Sequence, residues 1–252
     1  PPALKEASTG LTMGESAEKM AKENSISRSS QDELAHRSHT LAAKAWAEGK
    51  FSKEVMTVFP ISDRPDKATA VSADNTVRKN SEMAAYAKLL PVFDRQYGTV
   101  TAGNCCPLND GAAAVVIMSD SRAAELGLTP LARVVSTGLT ALSPEIMGMG
   151  PVEASRQALS RAGMSIGDMD LIEINEAFAV QVLASMDDLG IDPDKLNVHG
   201  GAIALGHPFG ATGARITTTL LNGLAARDAQ FGLETMCIGG GQGMAVIYER
   251  LS

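Results

Sequence analysis

The sequence contains few cysteines, no long apolar run and no excess of basic residues. Three cysteines among 252 residues do not make a disulfide scaffold, and they favour a reducing compartment. No apolar run approaches the roughly 18–20 residues that a membrane-spanning helix needs. The longest one, residues 112–118, has the length of a strand. The net charge of −7 argues against a general nucleic-acid binder.

The remaining composition is that of an ordinary globular protein. Hydrophobic residues make up 44% and charged residues 20% of the chain, which argues against a disordered polypeptide. Residues 1–80 contain 12 Lys or Arg and 11 Asp or Glu, whereas residues 81–252 contain 10 and 18 and are therefore acidic. The chain begins at Pro1 without an initiating Met or a signal-peptide pattern, and this start predicts a segment cut from a longer protein.

Helical and strand patterns alternate through the second half of the chain. Alternation of this kind predicts an α/β fold with helices packed on a sheet. Residues 55–80, which include Pro60, Asp63, Pro65 and Asp66, are typical of loops. The predicted helices are 13–50 (with a start near Ser27), 81–93, 121–126, 151–162, 176–189 and 210–227. The predicted strands are 99–101, 133–138, 170–174, 233–237 and 244–248. Residues 112–118 are predicted as either a short strand or a short helix.

Two segments carry polar side chains where α/β proteins place ligands. Asn175 stands at a strand-to-helix junction, where an Asn either caps the helix or points its amide into a site at the carboxyl end of the strand. His207 lies in residues 199–213, which contain five glycines and precede a helix whose N-terminus favours negative charge. A lone His is often structural, but the narrow place between Gly206 and Pro208 favours a functional role; His199 has a weaker context.

Cysteine placement suggests one further site residue. Cys237 ends a predicted strand before a glycine-rich loop, so it is either a reactive thiol or a small buried apolar residue. Cys105 and Cys106 are adjacent, but no His or Cys pair at ligand spacing accompanies them, which argues against a metal site and favours packing or ligand contact. His36 and His39 lie on a charged helical stretch, which favours solvated or capping roles.

Three segments in this order resemble the C-terminal signatures of the thiolase family. They are Asn175-Glu176-Ala177-Phe178, Gly206-His207-Pro208-Phe209-Gly210-Ala211-Thr212-Gly213 and Cys237-Ile238-Gly239-Gly240-Gly241. Residues 98–104 and 109–112 resemble the segment that leads out of the family's N-terminal half, and residues 13–50 resemble its loop domain. Residues 8–14 and 37–39 look most like the β-subunits of fatty-acid β-oxidation complexes, although those often carry His where this chain has Asn175.

The resemblance implies a fold of two similar α/β halves in αβαβα layers, with a helical and irregular loop domain inserted in the first half. Residues 1–80 would be part of that loop domain, residues 81–124 the end of the N-terminal half and residues 125–252 the C-terminal half. The N-terminal portion of the fold would be missing.

The resemblance also implies a reaction, the reversible Claisen condensation in which 3-ketoacyl-CoA and CoA give acetyl-CoA and a shortened acyl-CoA. His207 would activate the nucleophilic thiol and help to bind the thioester oxygen, and Asn175 would hold a water that completes this oxyanion hole. Cys237 would be the acid and base at the α-carbon, and the Gly239 N–H would bind the second oxyanion. Fixed donors of this kind stabilise a developing enolate by roughly 3–4 kcal/mol each.

One part of the family's site has no counterpart in these residues. The acyl-accepting cysteine lies in a Cys-x-Ser-Gly-like stretch, which the 252 residues do not contain, so we expect the chain alone to be inactive. Met13, Arg78 and Phe178 match positions that line the CoA channel. Cys106 matches a position that usually carries a CoA-contacting Ser, and a thiol is a poorer hydrogen-bonding group there.

The resemblance implies no cofactor other than CoA as a substrate, no nucleic-acid partner and no transmembrane segment. Expected partners are CoA, acyl-CoA, further copies of the chain and a hydratase/dehydrogenase α-subunit, in the cytoplasm or in a mitochondrial or peroxisomal matrix. Two alternatives stand beside a degradative 3-ketoacyl-CoA thiolase. One is a biosynthetic acetoacetyl-CoA thiolase, and the other is a non-catalytic thiolase-like protein that binds acyl-CoA or lipid.

Overall fold

A four-stranded mixed sheet organises the second half of the chain. The computed structural model describes residues 5–61, 64 and 69–252. The strand order is β1-β4-β3-β2, in which β4 runs antiparallel to β1 and β3 while β3 runs parallel to β2. Because β2 and β3 are parallel, their carboxyl ends lie at the same edge of the sheet. The strands are β1 (Ala132–Ala141), β2 (Leu171–Ile174), β3 (Phe231–Ile238) and β4 (Gln242–Arg250).

Helices cover both faces of this sheet. Successive residues of a strand point to opposite faces, and in β2 the neighbours Leu171 and Ile172 belong to different apolar clusters. Ile172 packs in the cluster that contains side chains of α5 (Gly150–Ala162) and α6 (Ala179–Leu189). Leu171 packs with Leu220 and Leu224 of α8 (Thr212–Ala226). The predicted α/β fold is confirmed.

A glycine in β1 allows α5 to approach the sheet closely. A Cβ atom placed on Gly138 would lie 2.0 Å from the carbonyl oxygen of Ala154 in α5. No side chain fits such a gap, so only glycine permits this packing distance. Gly163 ends α5 in the left-handed conformation, with φ of 67°.

The first part of the chain is mostly helical and packs against α6 and α7. Thr12 and Glu15 form a capping box at the start of α1, and Ser27 caps α2 as predicted, since its side chain accepts from the Ser30 N–H. Ala17 and Met20 of α1 pack on Val180 of α6. The remaining helices are α1 (Met13–Glu23), α2 (Arg28–Ala47), α3 (Met83–Tyr86), α4 (Asp120–Glu125) and α7 (Ala202–Leu205).

Several predicted elements are shorter than expected or absent. The predicted strand at 99–101 is only an isolated pairing of Pro91 with Thr101, and α6 begins three residues later than predicted. Residues 55–61 and 69–80 are largely loop, as predicted. The loop prediction at residues 62–63 and 65–68, which includes Asp63, Pro65 and Asp66, falls outside the described residues.

The apolar run 112–118 forms neither a strand nor a helix. Val116 and Ile117 are 85% and 78% exposed. A strand is defined by its hydrogen-bonded neighbour, and no described segment pairs with this run. Among the described residues, no helix is both long and apolar enough to cross a membrane.

Candidate active site

Two of the predicted site residues, Asn175 and Cys237, lie at the carboxyl edge of β2 and β3. Asn175 directly follows β2, and its N–H continues the ladder by donating to the carbonyl oxygen of Thr235 in β3 at 3.0 Å. Cys237 follows two residues later in β3, where it pairs with Gly243 of β4. In open α/β sheets this edge is where ligands bind.

Asn175 is fully buried, and its side-chain amide has no hydrogen-bond partner among the described residues. The alternative in which Asn175 caps the following helix is wrong, because the N-cap position of α6 is Phe178 and no side chain caps it. Buried amides almost always find a partner, which is often an ordered water. The Asn175 amide is therefore available to hold a water or a substrate group.

The neighbouring Glu176 ties three segments together beneath the site. Its Oε2 accepts from the Ser38 hydroxyl of α2 at 2.6 Å and from the Ile203 N–H at 3.1 Å, and its Oε1 accepts from Asn197 Nδ2 at 2.9 Å. Ser38 Oγ in turn accepts from the Gly201 N–H at 3.0 Å. Burial raises the pKa of Glu176, and the three donors oppose that shift.

His207 is held by a backbone contact and a ring contact. Its N–H donates to Asn109 Oδ1 at 2.9 Å, and its ring Nδ1 lies 2.7 Å from Thr212 Oγ1. Gly206 takes φ of +99°, and a Cβ there would lie 2.4 Å from the Asn109 side chain. Burial lowers the pKa of His207 to about 4, with a further contribution from the charge of Arg215. The imidazole is therefore neutral at neutral pH.

The segment 104–109 connects the Asn175 loop to His207. The Ala179 N–H donates to the Asn104 carbonyl oxygen at 2.9 Å, and the Cys106 N–H donates to the Ala177 carbonyl oxygen at 3.0 Å. Further along the same segment, Asn109 accepts from the His207 N–H. The segment therefore fixes the distance between the two loops that carry Asn175 and His207.

All three thiols are protonated at neutral pH. Burial raises the pKa of Cys237 to about 11 and that of Cys105 to about 11. Burial also raises the pKa of Cys106 to about 12, and the nearby charges of Cys105, Cys237 and Glu176 add to this shift. Cys237 in this state has a proton that it can donate.

Gly239 opens the three-residue turn that joins β3 to β4. A Cβ placed on it would meet nothing within 4 Å, so its backbone borders open space. Gly241 has φ of +81°, and its carbonyl oxygen accepts from the Leu142 N–H at 2.8 Å. This contact anchors the turn while leaving the Gly239 backbone accessible.

Two of the four residues predicted to line a CoA channel, Cys106 and Phe178, belong to or contact the loop that carries Asn175. Phe178 pairs with Cys105 in an isolated bridge and packs edge-on against Phe93 at 6.3 Å. Cys106 is bonded to the loop at Ala177, as described above. Met13 begins α1, whose buried face belongs to the cluster that Phe178 joins.

Arg78 is exposed, and its backbone is tied to α2. The Arg78 N–H donates to His39 Nδ1 at 3.1 Å. His39 is only 3% exposed, so the expectation of a solvated or capping role is wrong for this residue. Burial, with the Arg78 charge as a smaller cause, lowers the pKa of His39 to about 4. The neutral ring is thus a buried acceptor that positions the Arg78 backbone.

Sequence reasoning did not assign roles to the residues that hold the site together. Asn109 and Thr212 contact His207, and Ser38 contacts Glu176 across 138 positions of sequence. All of them lie inside segments that the motifs cover. Thr212 is five residues from His207, but Asn109 and Ser38 are 98 and 138 positions from their partners, and no local pattern pairs residues so distant. Their contacts exist only in the folded chain.

Comparison with known proteins gives the class to which this arrangement belongs. The profile described as "Thiolase, N-terminal domain" matches residues 1–121, and "Thiolase, C-terminal domain" matches residues 128–250. The chain belongs to the thiolase family and has the thiolase fold.

Individual relatives agree with this assignment. The 3-ketoacyl-CoA thiolase of Aeromonas salmonicida is 49% identical over 99% of this chain and 60% of its own length. A crystal structure of the Bacillus anthracis acetyl-CoA acetyltransferase superposes with a TM-score of 0.95 and 43% identity, covering 98% of this chain and 62% of that one. A crystal structure of human mitochondrial 3-ketoacyl-CoA thiolase in complex with CoA superposes with a TM-score of 0.92 and 40% identity, covering 99% of this chain and 62% of that one. The chain spans about three fifths of the length of these relatives.

Proposed function

We propose that the chain supplies four catalytic groups of a degradative 3-ketoacyl-CoA thiolase, namely His207, Cys237, Asn175 and the Gly239 N–H, but not the nucleophilic thiol. The reaction cleaves 3-ketoacyl-CoA with CoA to acetyl-CoA and an acyl-CoA shortened by two carbons. The observation that carries this proposal is the buried Asn175 amide, which has no hydrogen-bond partner among the described residues and follows β2 at the carboxyl edge of the sheet, next to the strand that carries the protonated Cys237 thiol. The names of the similar proteins support the class of substrate.

In the cleavage step, a nucleophilic thiolate attacks the 3-keto carbon and the bond between C2 and C3 breaks. The electron pair of that bond goes to C2 and forms the acetyl-CoA enolate, which takes a proton from the Cys237 thiol. The resulting Cys237 thiolate then removes the proton from CoA, whose sulfur attacks the acyl group. A thiol with a pKa of about 11 suits the first of these steps, because it arrives protonated.

Fixed hydrogen-bond donors would stabilise the negative charge that develops on the substrate oxygens. His207 and a water on Asn175 would stabilise the thioester oxygen, on which the enolate charge develops, and the Gly239 N–H would help to stabilise the second oxyanion, at the carbon under nucleophilic attack. Losing one such donor costs about 10²–10³ in kcat. Met13, Arg78, Cys106 and Phe178 are proposed to contact CoA.

The nucleophilic thiol is proposed to come from outside these 252 residues. Cys105 and Cys106 do not match the family's nucleophile motif, and burial raises their pKa values to about 11 and 12, which is the wrong direction for a nucleophile. The 252-residue chain is therefore expected to bind CoA without turning over substrate. The division into residues 1–80, 81–124 and 125–252, the oligomeric state, a hydratase/dehydrogenase partner and a cytoplasmic or organellar matrix location are parts of the same proposal.

The test is a thiolysis assay on two samples, the protein purified from its natural source and the recombinant 252-residue chain. We expect the natural protein to release acetyl-CoA from 3-ketoacyl-CoA of several chain lengths, and a Cys237→Ala variant of it to lose the activity. The chain alone should bind CoA in calorimetry and release no acetyl-CoA. Full turnover by the chain alone would overturn the need for a further thiol.

A biosynthetic acetoacetyl-CoA thiolase is a second candidate, favoured by the 0.95 TM-score to an acetyl-CoA acetyltransferase. Activity confined to acetoacetyl-CoA would select it. CoA binding by the natural protein without cleavage of any substrate would instead select a non-catalytic binding protein.

A further inference from the structure

The hydrogen bonds around His207 specify which ring nitrogen carries its proton. A neutral imidazole has one N–H and one lone-pair nitrogen, and the partner of one nitrogen determines the role of the other. Nδ1 of His207 lies 2.7 Å from the hydroxyl oxygen of Thr212. The hydroxyl has a single proton, so it cannot donate both to the ring and to another acceptor.

The Thr212 proton has a second acceptor. Thr212 Oγ1 lies 3.1 Å from the carbonyl oxygen of Pro208, four residues earlier. A carbonyl oxygen only accepts, and this one also accepts from the Ala211 and Thr212 N–H groups; a hydrogen bond to it directs the hydroxyl proton away from His207. Threonine hydroxyls in helices commonly bond to the carbonyl four residues earlier.

The same contact recurs along α8. Thr218 donates to the Ala214 carbonyl oxygen at 2.8 Å, and Thr217 makes the same 2.8 Å contact with the Gly213 carbonyl oxygen, although its hydroxyl also lies 2.8 Å from Glu234 Oε2. Thr212 is the first residue of this helix and is fully buried. Its side chain therefore follows the pattern of the other threonines, with its proton on the helix and a lone pair toward the ring.

We propose that Thr212 is a positioning residue that holds His207 in the tautomer with the proton on Nδ1 and the lone pair on Nε2. The Asn109 side chain fixes the backbone of the same residue by accepting from the His207 N–H. Nε2 is then ready to take a proton, which is the role that the proposed function gives to His207, and the inference rests on that function for its purpose. When Nε2 is protonated, Nδ1–H still donates to Thr212, so the oxygen of Thr212 serves both states of the ring.

The experiment is nitrogen-15 NMR of the histidine side chains at neutral pH, in which long-range proton–nitrogen correlations distinguish the two tautomers. The chain contains four histidines, and a His207→Gln variant assigns the signal. We expect the Nδ1–H tautomer for His207 in the natural protein. A predominant Nε2–H tautomer would overturn the proposal without any variant being made.

Variants of Thr212 test the cause. Thr212→Val removes the hydroxyl and should give a mixture of tautomers, whereas Thr212→Ser should restore the Nδ1–H form. Thr218→Val is the matched control, because it removes the same kind of helix contact without touching His207. A folded Thr212→Val protein with an unchanged tautomer would contradict the role of Thr212.

Activity gives a separate readout in the natural protein. Thr212→Val should lower kcat by roughly 10- to 100-fold, which is part of the 10²–10⁴ that general acid–base catalysis typically contributes. It should leave KM for CoA close to its original value. The tautomer is measured without substrate. A failure of thiolysis would therefore count against the proposed function alone, and a wrong tautomer in an active enzyme would count against this inference alone.

Discussion

The hydroxyl of Ser38 donates a 2.6 Å hydrogen bond to Oε2 of Glu176, although 138 residues separate the two in sequence. Both residues are buried, and the contact joins the long helix α2 to the loop that follows β2. Glu176 directly follows Asn175 and also accepts from the Ile203 N–H, so the Ser38–Glu176 contact connects α2 both to the loop that carries Asn175 and to the segment that precedes His207.

Removing the Ser38 hydroxyl should destabilise the protein. Ser38→Ala leaves a buried carboxylate oxygen short of one donor, and this costs about 1–3 kcal/mol of unfolding free energy. Denaturant unfolding measures the loss. Ser29→Ala is the matched control, because Ser29 makes the same type of bond to Glu33 on the exposed side of α2 and should cost less than about 0.5 kcal/mol. Equal losses in the two variants would contradict the prediction.

Replacing Asn109 should release the backbone of His207. In Asn109→Ala the His207 N–H loses its acceptor, so its exchange with solvent deuterium should accelerate by roughly tenfold, the equivalent of one hydrogen bond. Asn109→Asp keeps an oxygen at the same place and should protect the amide. Hydrogen exchange read by NMR gives the comparison, and an unchanged rate in Asn109→Ala would show that another group holds the turn.

Glu173 should make the protein less stable as pH rises. Burial raises the pKa of Glu173 from 4.5 to about 8, so the native state retains a proton that the unfolded chain releases. The stabilisation is fully present below 4.5 and is lost as pH rises through about 8, by up to about 1.4 kcal/mol per pH unit. Glu173→Gln should flatten this slope in denaturant unfolding across that window. Part of the slope should remain, because burial also raises the pKa of Glu176 and raises that of Glu234 to about 7, and an unchanged slope in the variant would contradict the prediction.

The three thiols should resist alkylation in the folded state. A rise of the Cys237 pKa from 9.0 to about 11 lowers its thiolate fraction at neutral pH by roughly 100-fold, and the thiolate is the reactive form. Iodoacetamide labelling followed by peptide mass spectrometry should therefore be slow for Cys237 and faster at higher pH, with the denatured chain as the reference. Labelling of Cys237 at the denatured rate would contradict both its burial and its role as a proton donor.

Local patterns predicted most of the helices and strands. Ser27 was predicted as a helix start because the residues that form the cap lie within one turn of it in sequence. The alternation of helices and strands was predicted from hydrophobic periodicity. The site residues Asn175, His207 and Cys237 were found as motifs. The structure places Asn175 and Cys237 at the carboxyl edge of β2 and β3, and residues 104–109 connect the Asn175 loop to His207. Their catalytic roles stay a prediction.

What the sequence did not predict depends on distant partners. His39 was expected in a solvated or capping role, but it is buried beneath the Arg78 backbone, which is 39 positions away. Asn175 was left as a cap or a site residue, and the late start of α6 at Ala179 removes the cap. The run 112–118 has strand composition but lacks a neighbouring strand in the described part of the chain, and no local pattern reveals whether a neighbour exists.

That unpaired run has a consequence for handling the chain in solution. Ala112 to Met118 present seven consecutive apolar residues without charge or proline, and Val116 and Ile117 are mostly exposed. Segments of this length and composition are templates for intermolecular β-pairing. Protein concentration must therefore be controlled in every experiment on the recombinant chain. The substitution Ile117→Lys is the simplest change that should reduce precipitation, because it places a charge in the apolar run.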